Sequence, residues 1–129
     1  MDKKYSVFIV DDDKFLLEMY KKKFEKSGCE VELSVGSTEA LDKLRGGSDP
    51  DILILDIIMP GMDGLELLQT IRKENLVKDS VVIMLTNEGN TSKIERAKEL
   101  NVAGYIVKAT SIPSEVVEET LKIAENHLK

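Results

Sequence analysis

Four apolar runs of strand length, set apart by stretches of helical periodicity, constrain the fold of this chain most: Val7-Phe8-Ile9-Val10, Ile52-Leu53-Ile54-Leu55, Val81-Val82-Ile83-Met84-Leu85 and Tyr105-Ile106-Val107. A half-exposed strand alternates apolar with polar residues, so runs without that alternation read as strands covered on both faces. A fifth run, Glu30-Val31-Glu32-Leu33-Ser34-Val35, does alternate and suits a strand at the sheet edge. Helical spacing fills the gaps. Phe15, Leu16, Met19, Tyr20 and Phe24 recur on one side of a first helix, lysines 21, 22, 23 and 26 occupy its wet side, and Gly28 stops it. Ser37 to Leu44 makes a short second helix closed by Gly46-Gly47. Asp63 caps a third, with Glu66 in the reciprocal position of a capping box and Leu65, Leu68 and Ile71 inside. Ser92 and Glu95 repeat that signature for a fourth. A fifth helix starts near Pro113 and turns Val116, Val117, Leu121 and Ile123 or Ala124 inward. Five strands alternating with five helices predict an α/β, doubly wound parallel sheet built from βαβ crossovers. The 129 residues suit one domain, residues 1–129, either free-standing or cut from a longer chain.

The totals narrow the function classes. A net charge of -6 argues against direct nucleic-acid binding, which relies on basic groups that neutralise phosphates. No apolar run approaches the roughly 20 residues of a membrane helix, so the expectation is a cytoplasmic protein without membrane association. The single cysteine, Cys29, has no disulfide or zinc partner and reads as a small packing residue.

In an open parallel sheet the chemistry gathers at the carboxyl ends of the strands. There stand Asp11, Asp12 and Asp13 after the first strand, Asp56 after the third, Thr86 after the fourth and Lys108 after the fifth. Converging carboxylates repel one another unless a cation sits among them. Mg2+ fits, since it takes oxygen ligands and is often shared between carboxylates and a phosphate. Lys108 and Thr86 add a positive charge and a hydroxyl donor suited to the oxygens of a transferring phosphoryl group, and a carboxylate there can attack phosphorus. Asp11, Asp12 or Asp13 can each instead cap the next helix. Asp56 cannot be explained so: it follows four apolar residues and precedes Ile57-Ile58-Met59-Pro60. A charge at the end of a central strand needs a partner, as does a lysine after a buried strand, and Asp56 and Lys108 account for each other.

Val10-Asp11-Asp12, the segment from Asp56 through Met59-Pro60-Gly61-Met62-Asp63-Gly64, Leu85-Thr86, Tyr105 and Lys108 together resemble the receiver domain of two-component response regulators, in that family's order and over essentially the whole chain. The resemblance implies a flavodoxin-like (βα)5 fold with strand order 2-1-3-4-5 and no output domain within these residues. It implies that Asp56 is the phosphoacceptor, supplied by a histidine kinase or histidine phosphotransfer protein. Asp11, Asp12, Asp56 and the backbone carbonyl of Ile58 are then the Mg2+ ligands, with Asp12 more direct than Asp11, and Asp13 is a cap or surface residue. Lys108 pairs with Asp56 before phosphorylation and with the phosphate after it. Thr86 and Tyr105 form a switch pair whose movement alters the face of the fourth helix, fifth strand and fifth helix. The domain assists its own phosphorylation and dephosphorylation without being an enzyme in the usual sense. Its output is a contact with a downstream protein whose identity the sequence does not name, made as a monomer or as a phosphorylation-dependent homodimer.

Three departures from the family pattern stand out. Ala109 follows Lys108 where proline, often after a cis bond, is usual; a cis bond before a non-proline residue costs about 2.5–4 kcal/mol. Ile58 has no group to orient an attacking water, whereas Glu88, two beyond Thr86, has one, so these two residues are expected to tune dephosphorylation at a slow to moderate rate. Asn87 occupies the position after Thr86 where a small residue is common. Kinase docking in the family uses the first helix, where Phe15 or Leu17 is available as an apolar contact. Two rival readings are a haloacid-dehalogenase-type phosphatase, for which Asp11 and Asp13 have the spacing but Phe15 replaces the expected Thr or Val, and a phosphorylation-independent scaffold.

Overall fold

The computed structural model describes residues 5–86, 91–108 and 112–128. Five strands, β1 (Ser6–Asp11), β2 (Glu30–Val35), β3 (Ile52–Asp56), β4 (Val81–Thr86) and β5 (Gly104–Val107), alternate with α1 (Lys14–Lys26), α2 (Ser37–Arg45), α3 (Gly64–Lys73), α4 (Thr91–Glu99) and α5 (Pro113–His127). All strand pairs are parallel, in the order β2-β1-β3-β4-β5.

The uninterrupted apolar runs now have a physical reason. Side chains alternate across a strand, and both faces of this sheet are covered. Val7, Ile9, Ile52, Ile54, Val81, Ile83 and Leu85 face one core with Leu17, Tyr20 and Phe24 of α1 and Val116, Val117 and Ala124 of α5. Phe8, Val10, Leu53, Leu55, Val82 and Met84 face the other, with the apolar sides of α2 and α3 and Ala97 of α4. Cys29 is buried in the first core, as a packing residue should be.

Three local expectations change. Strand β5 is the second edge strand, so among its residues only Ile106 is buried and Tyr105 is 42% exposed. In α1 the inner stripe is Leu17, Tyr20 and Phe24, while Phe15 is 75% exposed. Positions 15 and 17 lie about 200° apart around a helix and cannot both face the core. Ser92 sits inside α4 as its second residue rather than ahead of it as a cap.

The caps of α1 and α3 agree with the sequence. Asp13 accepts from the Phe15 and Leu16 amides at the start of α1. Asp63 and Glu66 form the reciprocal capping box of α3, and Glu115 accepts from the Ile112 amide ahead of Pro113. Two backbone groups on the open edge of β2 are taken up by α2: Lys43 Nζ donates to the Leu33 carbonyl at 2.6 Å, and the Val35 amide donates to Glu39 at 3.1 Å. Strand edges left bare invite pairing with other chains. Among the described residues no helix is long and apolar enough to cross a membrane.

Candidate functional site

The parallel register decides which residues meet. Asp11 ends β1, Asp56 ends β3 and Thr86 ends β4, with Asp56 opposite Leu85 and Thr86 opposite Val107, the residue before Lys108. Four polar side chains thereby reach one carboxyl edge, where the apolar covering of the sheet stops. Asp11 is fully buried, and Asp56 and Thr86 are 2% and 4% exposed.

Lys108 Nζ donates to Asp11 Oδ2 at 2.7 Å and lies 3.4 Å from Asp56 Oδ1. Its hydrogen bond thus goes to Asp11, with Asp56 held as a longer ion pair. The other Asp11 oxygen accepts from the Asp13 amide at 3.0 Å, which fixes the turn into α1. Asp13 is occupied as the cap, and Asp12 is exposed at the rim.

One carboxylate oxygen from each of Asp11, Asp12 and Asp56 lies within 4.8 Å of the others. Asp56 Oδ1 is buried and accepts no hydrogen bond. Burial and then the neighbouring Asp11 charge push the Asp56 carboxyl up to about 7, against the pull of Lys108, with Asp12 adding a smaller push. Burial alone would lower the Lys108 ammonium, but the hydrogen bond and charge of Asp11, with the charge of Asp56, raise it above its ordinary value. Three carboxylate oxygens this close suit a small divalent cation that takes oxygen ligands.

The segment after Asp56 is locked in place. The Ile57 amide donates to the Leu85 carbonyl, the Ile57 carbonyl accepts from Gly64, and Ile57 and Met59 are buried. Ser37 at the start of α2 donates to the Met62 carbonyl at 2.7 Å. Ile58 is 52% exposed between these anchors. Gly64 was quoted in the sequence only as part of a motif, yet its role is steric. A Cβ there would lie 2.1 Å from the Asp56 carbonyl oxygen and 3.0 Å from the Ile57 Cα. Only glycine lets α3 begin directly against the peptide of Asp56. A glycine at the first position of a helix, where it costs propensity, was the available signal.

Tyr105 pairs with Met84, and Val107 with Thr86, so Tyr105 and Thr86 lie on the same face of the sheet two positions apart. Asn87, Glu88 and Ala109, named above for the switch loop, dephosphorylation and the bond after Lys108, lie outside the described residues.

A family model described as response regulator receiver domain matches residues 7–119. Chemotaxis protein CheY1 of Helicobacter pylori strain J99 is 32% identical over 118 residues, covering 91% of this chain and 94% of that protein. A chemotaxis protein CheY homolog of Campylobacter jejuni is 34% identical over 103 residues, 79% of each chain. Among solved structures, Vibrio cholerae chemotaxis protein CheY4 superposes with a TM-score of 0.84 at 27% identity, covering 94% of this chain and 99% of that one. A CheY-like receiver domain protein from Methanospirillum hungatei does so at 0.86 and 25% identity, over 98% of each.

Proposed function

This chain belongs to the response regulator receiver domain family, and from that premise we propose that Asp56 is its phosphoacceptor, charged from a phosphohistidine on a histidine kinase or phosphotransfer protein. The supporting observation is the Asp56 carboxylate itself: buried, with one oxygen unbonded, ion-paired to Lys108 and gathered with Asp11 and Asp12. An Asp56 oxygen bonds to phosphorus as the donor's phosphorus–nitrogen bond breaks, and the electron pair returns to the imidazole nitrogen. Asp11, Asp12, Asp56 and the Ile58 carbonyl would hold Mg2+, which neutralises charge on the phosphoryl oxygens when bound. Lys108, already at the site on its bond to Asp11, holds a phosphoryl oxygen electrostatically, and Thr86 donates its hydroxyl to another.

A phosphoryl group adds charge and acceptor oxygens where a flat carboxylate stood. Thr86 follows those oxygens, and Tyr105, on the same face and partly exposed, moves with it, shifting the population of states of the α4-β5-α5 surface. That surface is the contact for a downstream protein, and residues 1–129 act as a single signalling module. Exposed Phe15, beside the site at the start of α1, offers the donor an apolar contact.

The test is to incubate the protein with acetyl phosphate and Mg2+ and weigh it intact. One added phosphoryl group, absent from Asp56→Ala, is the expected result. Catalytic release of phosphate without an adduct favours the phosphatase, and no reaction at all favours the scaffold.

A further inference from the structure

Helix α4 is anchored unevenly. Among its described side chains Ala97, toward the C-terminal end, is the buried one, whereas Ser92 and Glu95 are exposed and Lys93 and Ile94 half-buried. The residues that follow it, Leu100 and Val102, pack against the α2-α3 core. Arg72, in the last turn of α3, reaches across to this end. Its Nε donates to the Leu100 carbonyl at 3.0 Å and its Nη2 to the Asn101 carbonyl at 3.2 Å. Asn101 adopts a left-handed backbone with φ of 61°, as a helix-terminating residue does. A forked guanidinium on the carbonyls at a helix C-terminus satisfies orphan acceptors and opposes the negative end of the helix dipole. At the opposite end α3 meets α4 through Asp63 and Lys93, at 4.0 Å, and Asp63 is the cap that starts α3 in the segment following Asp56.

We propose that Arg72 is a positioning residue of the switch: it pins the C-terminal end of α4 to α3, so that displacement signalled from Asp56 is confined to the N-terminal end of α4. This rests on the phosphoacceptor reading above. Arg72 lies at the far end of α3 from Asp56 and does not touch the reacting groups. Burial pushes its guanidinium pKa down, in keeping with a donor partly withdrawn from water. The pinned end makes α4 a lever with a fixed pivot, and the output surface changes by tilt rather than by translation.

Residue-resolved amide exchange tests this, with beryllofluoride and Mg2+ as the phosphoryl mimic. Amides 95 and 96 report the first turn of α4. Amides 100, 101 and 102, bonded to carbonyls within α4, report its far end. In the parent protein the mimic is expected to change exchange at 95 and 96 and leave 100 to 102 unchanged. In Arg72→Met, protection at 100 to 102 falls about tenfold, the scale of losing a charged hydrogen bond, and the mimic then alters both ends. Arg72→Lys, which keeps the charge but not the fork, gives an intermediate loss and guards against a variant that fails to fold. Acetyl phosphate labels Asp56 at the parental rate in both variants, a readout that separates a pivot from general destabilisation. An equal response at both ends in the parent, or undiminished protection in Arg72→Met, overturns the pivot. If the mimic changes no amide, the pivot fails as well, and the mass of the acetyl phosphate product shows whether the phosphoacceptor reading failed with it.

Discussion

Replacing Asp56 with asparagine should make this protein more stable, by an amount that depends on pH. The folded chain holds the Asp56 carboxyl at about 7 against an ordinary 3.8. Between those values the folded state keeps a proton that the unfolded state has released. Stability changes with pH in proportion to protons bound unfolded minus protons bound folded, so it falls as pH rises through this window and levels off above about 7. At 1.36 kcal/mol per unit the whole shift corresponds to roughly 4 kcal/mol. Water at the rim beside exposed Asp12 screens part of that, leaving about 2 kcal/mol of destabilisation in the parent at pH 8. An asparagine side chain has nearly the same shape and no charge to bury. Urea melts of Asp56→Asn and parent at half-unit steps from pH 4 to 8 should therefore diverge. The variant gains about 2 kcal/mol at pH 8, roughly 8 °C in Tm for a chain of this size, and the two curves meet near pH 4. A variant no more stable than the parent at pH 8, or a gap that ignores pH, would refute a strained carboxylate at this site.

Other perturbations follow from the same geometry. Lys108→Met leaves Asp11 buried without its cation and should cost about 3 kcal/mol of stability, together with most of the acetyl phosphate reactivity; denaturant melts and intact mass measure the two losses. Gly64→Ala must shift the start of α3 or the Asp56 peptide by about 1 Å, and a misplacement of that size lowers reaction rates on the order of a hundredfold; labelling kinetics at unchanged far-ultraviolet dichroism check it. Ile58→Asn supplies a polar group at an exposed position beside the site and should speed phosphate release, timed after removal of the donor; an equal or slower rate counts against a water-orienting role there. A proton and Mg2+ compete for Asp56, so Mg2+ affinity by titration calorimetry should weaken as pH falls below about 7, by up to about tenfold per unit.

Periodicity carried most of the fold, because a sheet covered on both faces writes itself as apolar runs and its helices as stripes. The edges were less legible. Tyr105-Ile106-Val107 is as apolar as a central strand, and only strand order, a long-range property, makes it an edge. Phe15 misled for a similar reason: one aromatic fits two helical phases, and Leu17, Tyr20 and Phe24 together outweigh it. At the site, residue types foretold which side chains meet, because register brings strand ends together. They did not foretell which carboxylate takes the lysine. That choice is set by the placement of side chains at the strand ends, which puts Lys108 Nζ 2.7 Å from Asp11 and 3.4 Å from Asp56. Nor did they reveal Gly64 or Arg72, whose roles lie in a backbone approach and a carbonyl contact between two helices that no spacing records.

The site also explains why its central carboxylate is poised rather than settled. Asp11 takes the short bond to Lys108, and Asp56 is left with a longer ion pair and an oxygen that accepts no hydrogen bond. An aspartate fully matched to its lysine would be stable, weakly nucleophilic and closed to a cation. Burial, and then the Asp11 charge, raise its proton affinity beyond what Lys108 offsets, and a divalent ion or a phosphoryl group that brings further partners returns that free energy. The rigid surroundings of Asp56, fixed by Ile57, Met59 and the close approach of Gly64, prevent the carboxylate from relaxing away from this arrangement. Relief must therefore come from what binds at the carboxyl edge, and in the proposed pivot α4 is the element that carries a local change in charge to the surface.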